Sequence, residues 1–495
     1  MSYHLLTFSL LFVPAVMLLY QLSPRKARPI VMLAADFVFF YMLSGILIIY
    51  FILASAVTYF GGRLIDRAEE KYKKQPCRIR NKRLILGGCI AINLAMLVVF
   101  KYLKAFGVDL IAPVGISYYT LQTISYMTDV YRGSVSVDKN PVRLILYLSF
   151  FPQIMEGPIS RYSQVASELY SGKPIEFNNM VFGYQRILWG LFKKMLIADR
   201  IAPVVGKVFG NYESYDGSAI FVGAVAFTCQ LYMEFSGCMD IVIGTGEIFG
   251  VTLPENFRQP FFATGASDFW RRWHITLGTW LKDYVFYPVS LAKPVKKIAK
   301  KCKKKFGLKM SKFVAPTVAL FAVWSINGIW HGAGATYIFY GMYYFVLIFI
   351  ENITEEPVKK IGEKLGIYKH KGLLCALRGM KLFVIVNIGE MFFRASTLKD
   401  GFRMFGRIIT RFNIGNLSET NFGIDEYETI IALIGIAIVL IVDIIHEKGI
   451  SIRKKIASFS LPVRWGVWYG IIACVIIFGA YGAGYTIVDM IYAAY

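Results

Sequence analysis

Eleven apolar runs long enough to cross, or nearly cross, a hydrocarbon core of roughly 30 Å divide this chain. They lie around 5–21, 28–43, 44–60, 84–106, 181–205, 217–236, 313–330, 335–350, 379–394, 428–445 and 465–481. Lipid offers no hydrogen bonds, so segments of this kind must satisfy their backbone groups internally, and lengths near twenty residues select the helix. The expected class is an all-α polytopic membrane protein, with 1–495 as a single membrane-embedded domain. Composition agrees, because 56% hydrophobic and 16% aromatic residues spread over 495 positions exceed what a soluble domain on one anchor carries. The first run follows no basic region and precedes no small-residue cleavage site, so it is expected to remain as a span.

The formal net charge of +23 would suit nucleic acid if the basic residues shared one face. Instead they gather in short stretches between apolar runs, the pattern of a positive-inside topology, and nucleic-acid binding is not expected. Arg25, Lys26 and Arg28 follow the first run, and 63–83 holds nine basic against three acidic residues. From Lys293 to Lys312 there are ten lysines and no acid, read as a basic cytoplasmic loop over 293–312. That run also fits a second reading, a docking surface for an anionic group or an acidic carrier protein. Between 107 and 180, Pro113, Gly115, Pro141, Pro152, Gly157 and Pro158 interrupt runs too short to span. This stretch, with 240–292, is expected to form re-entrant or interfacial elements, which membranes tolerate where they are buried or line a wet cavity. The seven cysteines are scattered without a C-x-x-C pair, so neither structural disulfides nor a cysteine-ligated metal is expected.

Five histidines exist in the chain, and two lie in conspicuous places. Ionisable groups at membrane depth are expensive and mark functional sites by default, and imidazole suits proton transfer near neutral pH. His274 follows Ser267 and Asp268, a plausible helix start, and Trp270, Trp273, His274, Leu277, Leu281 and Tyr284 recur at three- and four-residue steps. A helix is expected there, with His274 on an aromatic face and Arg271, Arg272, Lys282 and Asp283 on others. The bland alternative is a core histidine bonded to a carbonyl. His331 ends an apolar run just before Gly332-Ala-Gly334, where glycines permit a tight turn and close approach; its bland alternative is a packing residue in a helical hairpin, with Trp330 as an interfacial anchor. Neither histidine sits in an H-E-x-x-H pattern, and no G-x-S-x-G or dinucleotide-binding loop is present. From these residues alone, a proton-coupled transporter or channel stands open beside an enzyme.

Seven stretches extend the pattern: Pro113-Val-Gly-Ile-Ser-Tyr-Tyr-Thr-Leu-Gln122, Asp129-Val-Tyr-Arg-Gly133, Phe151-Pro-Gln-Ile-Met-Glu-Gly-Pro-Ile159, Leu253-Pro-Glu-Asn-Phe257, Ser267-Asp-Phe-Trp-Arg-Arg-Trp-His274, Gly328-Ile-Trp-His-Gly-Ala-Gly334 and Phe392-Phe-Arg-Ala395. In these stretches the chain closely resembles the membrane-bound O-acyltransferase (MBOAT) family, in its bacterial alginate O-acetylation, AlgI-like branch. They follow the family's order over a core of 110–395, with 396–495 as C-terminal helices, and the terminal Phe478-Gly-Ala-Tyr-Gly482 also looks similar. The resemblance implies a ring of about eleven or more transmembrane helices, with re-entrant or interfacial helices, around a central tunnel. It matches His331 to the family's near-invariant histidine and His274 to an upstream Asn/His position. Trp330, Trp273, Asp268, Arg271 and Asn327, which flank the pair in these segments, become the candidate substrate-binding residues, and no metal is implied. Departures stand at Glu234 and Cys238, where Asp and Tyr are more usual, at Glu390, where an aromatic is expected, and after Tyr287-Pro288, where a Gly-Gly is missing. Alginate as the substrate therefore does not follow.

What the resemblance implies for function is an O-acyltransferase of the bacterial plasma membrane. It would take an acyl group, acetyl before others, from a cytoplasmic thioester such as acetyl-CoA or an acyl carrier, and pass it across the membrane toward an exported or cell-surface polysaccharide. His331 would act as general base and His274 would orient the acceptor, polarise the carbonyl or assist proton movement. No tightly bound cofactor is expected. Expected partners are membrane lipids, an extracytoplasmic SGNH-type acyltransferase and a cytoplasmic acyl carrier. Within the same fold, D-alanyl transfer toward teichoic acid from a carrier protein is the alternative.

Overall fold

The computed structural model describes residues 7–73, 75–103, 110–366, 370–481 and 485; Gly482 of the terminal motif lies outside them. Among the described residues the chain is helical without a β-strand, an isolated antiparallel bridge between Phe257 and Trp273 apart. Eight helical segments are long and apolar enough to cross a membrane: Arg28–Lys71, Arg78–Tyr102, Gly217–Ile248, Lys293–His331, Ala335–Lys364, Gly372–Arg394, Glu426–Glu447 and Leu461–Phe478. Except for Gly217–Ile248, which is mostly buried, they carry uncovered apolar side chains, as Leu433, Ile434 and Ile441 show on one helix and Trp465, Tyr469 and Ile476 on another. That surface has to meet lipid.

Nine of the eleven apolar runs map onto these eight segments, and the runs 5–21 and 181–205 do not. The runs 28–43 and 44–60 form one helical stretch interrupted where Gly45 takes a positive φ of 54° after the helix Arg28–Ser44. The first run is the shorter helical piece Phe8–Leu22. The run 181–205 is broken into Phe177–Leu191, a π-helical turn Phe192–Ala198 and Asp199–Gly210, and it buries Lys193, Lys194 and Arg200. The expected basic loop over 293–312 is helical, because lysine is a good helix former. It lies on the stretch Lys293–His331, which departs from helical geometry at Gly307 (φ 83°, ψ 176°).

By Cα proximity the chain forms two compact units. One takes the described residues up to Leu191 with Phe235–Glu255, and the other takes Phe192–Glu234 with the described residues from Asn256 onward. In the first unit the interrupted stretch from 110 to 180 contains the short helices Ile116–Arg132, Pro141–Ser149, Phe151–Ile154 and Tyr162–Leu169, held by specific polar locks. Ile116–Arg132 starts at Gly115, whose φ of 75° favours glycine and whose Cβ would fall 1.9 Å from the Ile154 carbonyl oxygen. The break between Pro141–Ser149 and Phe151–Ile154 is tied to the buried Asp36, which accepts from Ser149 Oγ at 2.8 Å and from the Phe151 amide at 2.7 Å. Those bonds satisfy a helix start that would otherwise be buried bare.

In the second unit the two long helices Lys293–His331 and Ala335–Lys364 form a hairpin. They cross closely at Gly341, where a Cβ would lie 2.4 Å from the Trp324 carbonyl oxygen and 3.3 Å from Gly328 Cα. Lys371–Arg394 packs on the second arm of this hairpin. Between Phe192 and Glu234 the same unit buries an ion cluster in which Lys194 Nζ lies 2.7 Å from Asp199 Oδ1 and 3.5 Å from Glu234 Oε1.

Candidate active site

His331 is the last residue of its helix, followed by Gly332 in extended geometry. The turn to Ala335–Lys364 then brings Tyr340 of the next helix back beside it at 6.1 Å, and Phe393 of Lys371–Arg394 forms a second wall at 5.2 Å, both edge-on. Its own neighbour Trp330 lies 5.0 Å away between ring centroids. The residue is 2% exposed. One helical turn earlier, on the same face, Asn327 is also buried, and its Oδ1 has no hydrogen-bond partner among the described residues.

The segment around His274 departs from the continuous helix expected there. A four-residue turn of helix, Ala266–Phe269, ends in a non-helical stretch, His274 takes a left-handed conformation (φ 47°, ψ 50°), and a new helix Ile275–Leu281 begins after it. The regular spacing of Trp270, Trp273 and His274 therefore does not mean a shared helix face. What overrides helical propensity is pairing with the preceding segment: Arg258 N–H donates to Arg272 O at 2.9 Å and Ile275 N–H donates to Asn256 O at 3.0 Å. A non-glycine residue in this region is uncommon, though histidine is among those that adopt it, and such strain gathers at functional sites.

Asn256 fixes the His274 ring. Its side-chain Oδ1 accepts from Thr276 N at 3.1 Å and from Thr276 Oγ1 at 2.9 Å, and His274 Nδ1 lies 3.1 Å from the same oxygen. The Thr276 amide can only donate, so the Asn256 atom is the acceptor and His274 Nδ1 must carry the proton. The second ring nitrogen, Nε2, then bears the lone pair. Burial pushes the imidazole pKa down from 6.5 to about 3, so the ring is neutral at any physiological pH.

The two histidines meet the same indole. Trp330 lies 5.9 Å from the His274 ring and 5.0 Å from that of His331, which joins sequence segments far apart in the chain into one buried cluster. The remaining sequence-derived candidates are placed less centrally. Trp273 is packed among Phe257, Phe269 and Tyr232, a core position that supports the strained segment. Asp268 is half-buried, accepting from Thr264 N at 3.1 Å and facing Arg272 at 3.4 Å. Arg271 is exposed. No described contact joins Asp268 or Arg271 to either histidine.

Two contributors escaped the sequence reading, and a third stood in it only as a departure from the family pattern. Asn256 stands inside one of the quoted motifs, but nothing in its spacing says that its amide holds an imidazole. Tyr340 is one aromatic among many, without a distinguishing signal. Glu390 did carry a signal, a lone acid in an apolar run, and it proves to accept a hydrogen bond from Tyr340 Oη at 2.9 Å. Among the described residues no three of His, Cys, Asp and Glu are grouped so as to hold a metal ion. The cluster has the makings of proton-transfer chemistry: a neutral imidazole with an assigned tautomer, a second imidazole beside it, and dry aromatic walls.

Comparison with known proteins agrees with the motifs. Residues 135–362 match the model of the membrane-bound O-acyltransferase family. The chain is similar to the probable alginate O-acetylase AlgI of Pseudomonas aeruginosa, with 31% identity over 432 residues that cover 84% of this chain and 76% of that protein. It is similar to the peptidoglycan O-acetyltransferase of Helicobacter pylori, with 28% identity over 67% of this chain and 66% of the relative. It is also similar to the teichoic acid D-alanyltransferase of Bacillus subtilis, with 29% identity over 51% and 62% respectively. This chain belongs to the membrane-bound O-acyltransferase family and is a multi-pass membrane O-acyltransferase, not the proton-coupled transporter that two buried histidines alone would also have permitted.

Proposed function

We propose that the protein takes an acetyl group from a cytoplasmic thioester and passes it across the plasma membrane for O-acetylation of an exported or cell-surface polysaccharide, with His331 as general base. The observation that carries the reading is the buried pair of imidazoles sharing Trp330 at the end of the longest hairpin arm. In the proposed step, a neutral His331 takes the proton of the acceptor hydroxyl as its oxygen attacks the thioester carbonyl. The tetrahedral intermediate collapses, the C–S bond breaks, and the departing thiolate takes the proton back from the imidazolium. His274, with its Nδ1 proton committed to Asn256, offers only the Nε2 lone pair. Because the reacting hydroxyl's single proton goes to His331, His274 suits accepting a hydrogen bond from a second hydroxyl of the acceptor and orienting it, rather than donating to a developing oxyanion.

The relatives named for acetyl transfer support acetyl over other acyl groups, and the relative named for D-alanyl transfer keeps an aminoacyl donor as the second reading. The immediate acceptor is proposed to be either the glycan or a hydroxyl on an extracytoplasmic SGNH-type acyltransferase, and the lysines of 293–312 are proposed to meet the anionic donor or carrier. The test is the O-acyl content of the exported glycan in a strain carrying His331→Ala or His331→Gln. Both variants should reach the membrane at wild-type levels and leave the glycan unacylated. General-base catalysis typically contributes about 10²–10⁴-fold, so product above about a tenth of wild type from either variant would remove His331 from that role.

A further inference from the structure

Glu390 is the outstanding polar residue that this reaction leaves unused. It sits on the apolar helix Lys371–Arg394, is 1% exposed, and accepts a hydrogen bond at Oε1 from Tyr340 Oη at 2.9 Å. Its Oε2 is buried with no hydrogen-bond partner among the described residues. As a packing element it is a poor choice, because a half-satisfied buried carboxyl is costly where an apolar side chain of similar volume would fill the space freely. Its hydrogen bond among the described residues fixes the Tyr340 hydroxyl.

Tyr340 in turn touches the reacting ring. Its ring stands edge-on to His331 at 6.1 Å and 85°, and Phe393 closes the triangle at 4.9 Å from Tyr340 and 5.2 Å from His331. Trp330, Tyr340 and Phe393 all pack against the imidazole, so the placement of these rings bears on its orientation. Small misplacements of a catalytic group are expensive, since an error of 1 Å can cost about 10²-fold in rate. We propose that Glu390 is a positioning residue for His331, acting through the Tyr340 hydroxyl to hold the aromatic wall against which the imidazole sits. The proposal rests on the O-acyl-transfer reading given above.

This role makes stability and activity move apart, which a structural role does not. In a deletion strain complemented with the full chain, the rate of O-acyl incorporation into the exported glycan is measured, and the purified protein is melted in detergent. Glu390→Met keeps the volume and removes the acceptor. It should melt at or above the wild-type temperature while the rate falls roughly tenfold or more. Glu390→Gln keeps an acceptor oxygen for Tyr340 and should restore most of the rate. Tyr340→Phe should lose as much as Glu390→Met, and the double variant no more than either, because both act through one hydrogen bond. Wild-type rate in folded Glu390→Met overturns the proposal, as does a parallel fall in melting temperature and rate that Gln does not rescue. A deletion that leaves glycan O-acylation intact defeats the O-acyl-transfer reading itself. A deletion that abolishes it, with Glu390→Met restoring it fully, defeats the positioning role alone.

Discussion

At the scale of the residue, His274 shows how a buried imidazole can be held rather than merely packed. Left-handed backbone suits Asn at least as well as His, and an amide is polar enough to stay near Asn256. His274→Asn should therefore keep partial activity, whereas His274→Leu, strained at φ 47° and unable to hydrogen-bond, should lose most of it. The same residue sets a pH signature. Its folded pKa lies near 3 against 6.5 for the free group, so below pH 6.5 the unfolded chain binds a proton that the folded one refuses. Stability from this residue is complete above pH 6.5 and falls as pH drops toward 3. Melting temperatures between pH 6.5 and 4 should fall more steeply for wild type than for His274→Asn, and equal slopes would contradict a buried neutral imidazole. Both histidines stand out in the sequence by rarity and setting, but their meeting at Trp330 was not legible there, because no spacing rule reports a contact between segments separated by a long helix. Nor could periodicity reveal the left-handed turn, which is imposed by backbone pairing with Arg258 and Asn256 rather than by local propensity.

At the scale of the element, the hairpin of Lys293–His331 and Ala335–Lys364 places His331, and close backbone approach at Gly341 sets its geometry. An added methyl there meets the Trp324 carbonyl oxygen, which belongs to a rigid helix and has nowhere to go. Gly341→Ala should destabilise by about 1–3 kcal/mol through overpacking and lower the transfer rate by displacing the arm that carries Tyr340. Gly379→Ala is the matched control, exposed on Lys371–Arg394 with nothing within 4 Å of a new Cβ; it should be neutral or slightly stabilising. Melting both variants in detergent checks the pair, and equal behaviour would show that the close crossing is not what holds the hairpin. Most element positions were legible because hydrophobic length is a strong signal. The segment from 181 to 205 was less so, since three buried cations and a π-helical turn interrupt a run that hydropathy alone reads as one span.

At the scale of the whole molecule, charge sets orientation. By the positive-inside rule, the ten lysines without an acid along Lys293–Lys312 are expected on the cytoplasmic side, and threading outward from them predicts 412–424 on the other face. In a cysteine-free background, a membrane-impermeant maleimide applied to intact cells should miss a cysteine at Ser311 and modify one in 412–424; the reverse labelling would invert the topology. The proposed reaction has His331 drive acyl movement from a cytoplasmic thioester to an acceptor on the far side. Sealed inside-out vesicles test it most directly, because radiolabelled acetyl-CoA added outside them reaches only the cytoplasmic face. With wild-type protein and its acceptor present, label should accumulate in base-labile, lumenal material, and with His331→Gln it should stay at background. Lumenal label from His331→Gln above about a tenth of the wild-type rate, or none from wild type with the acceptor confirmed present, would contradict the claim.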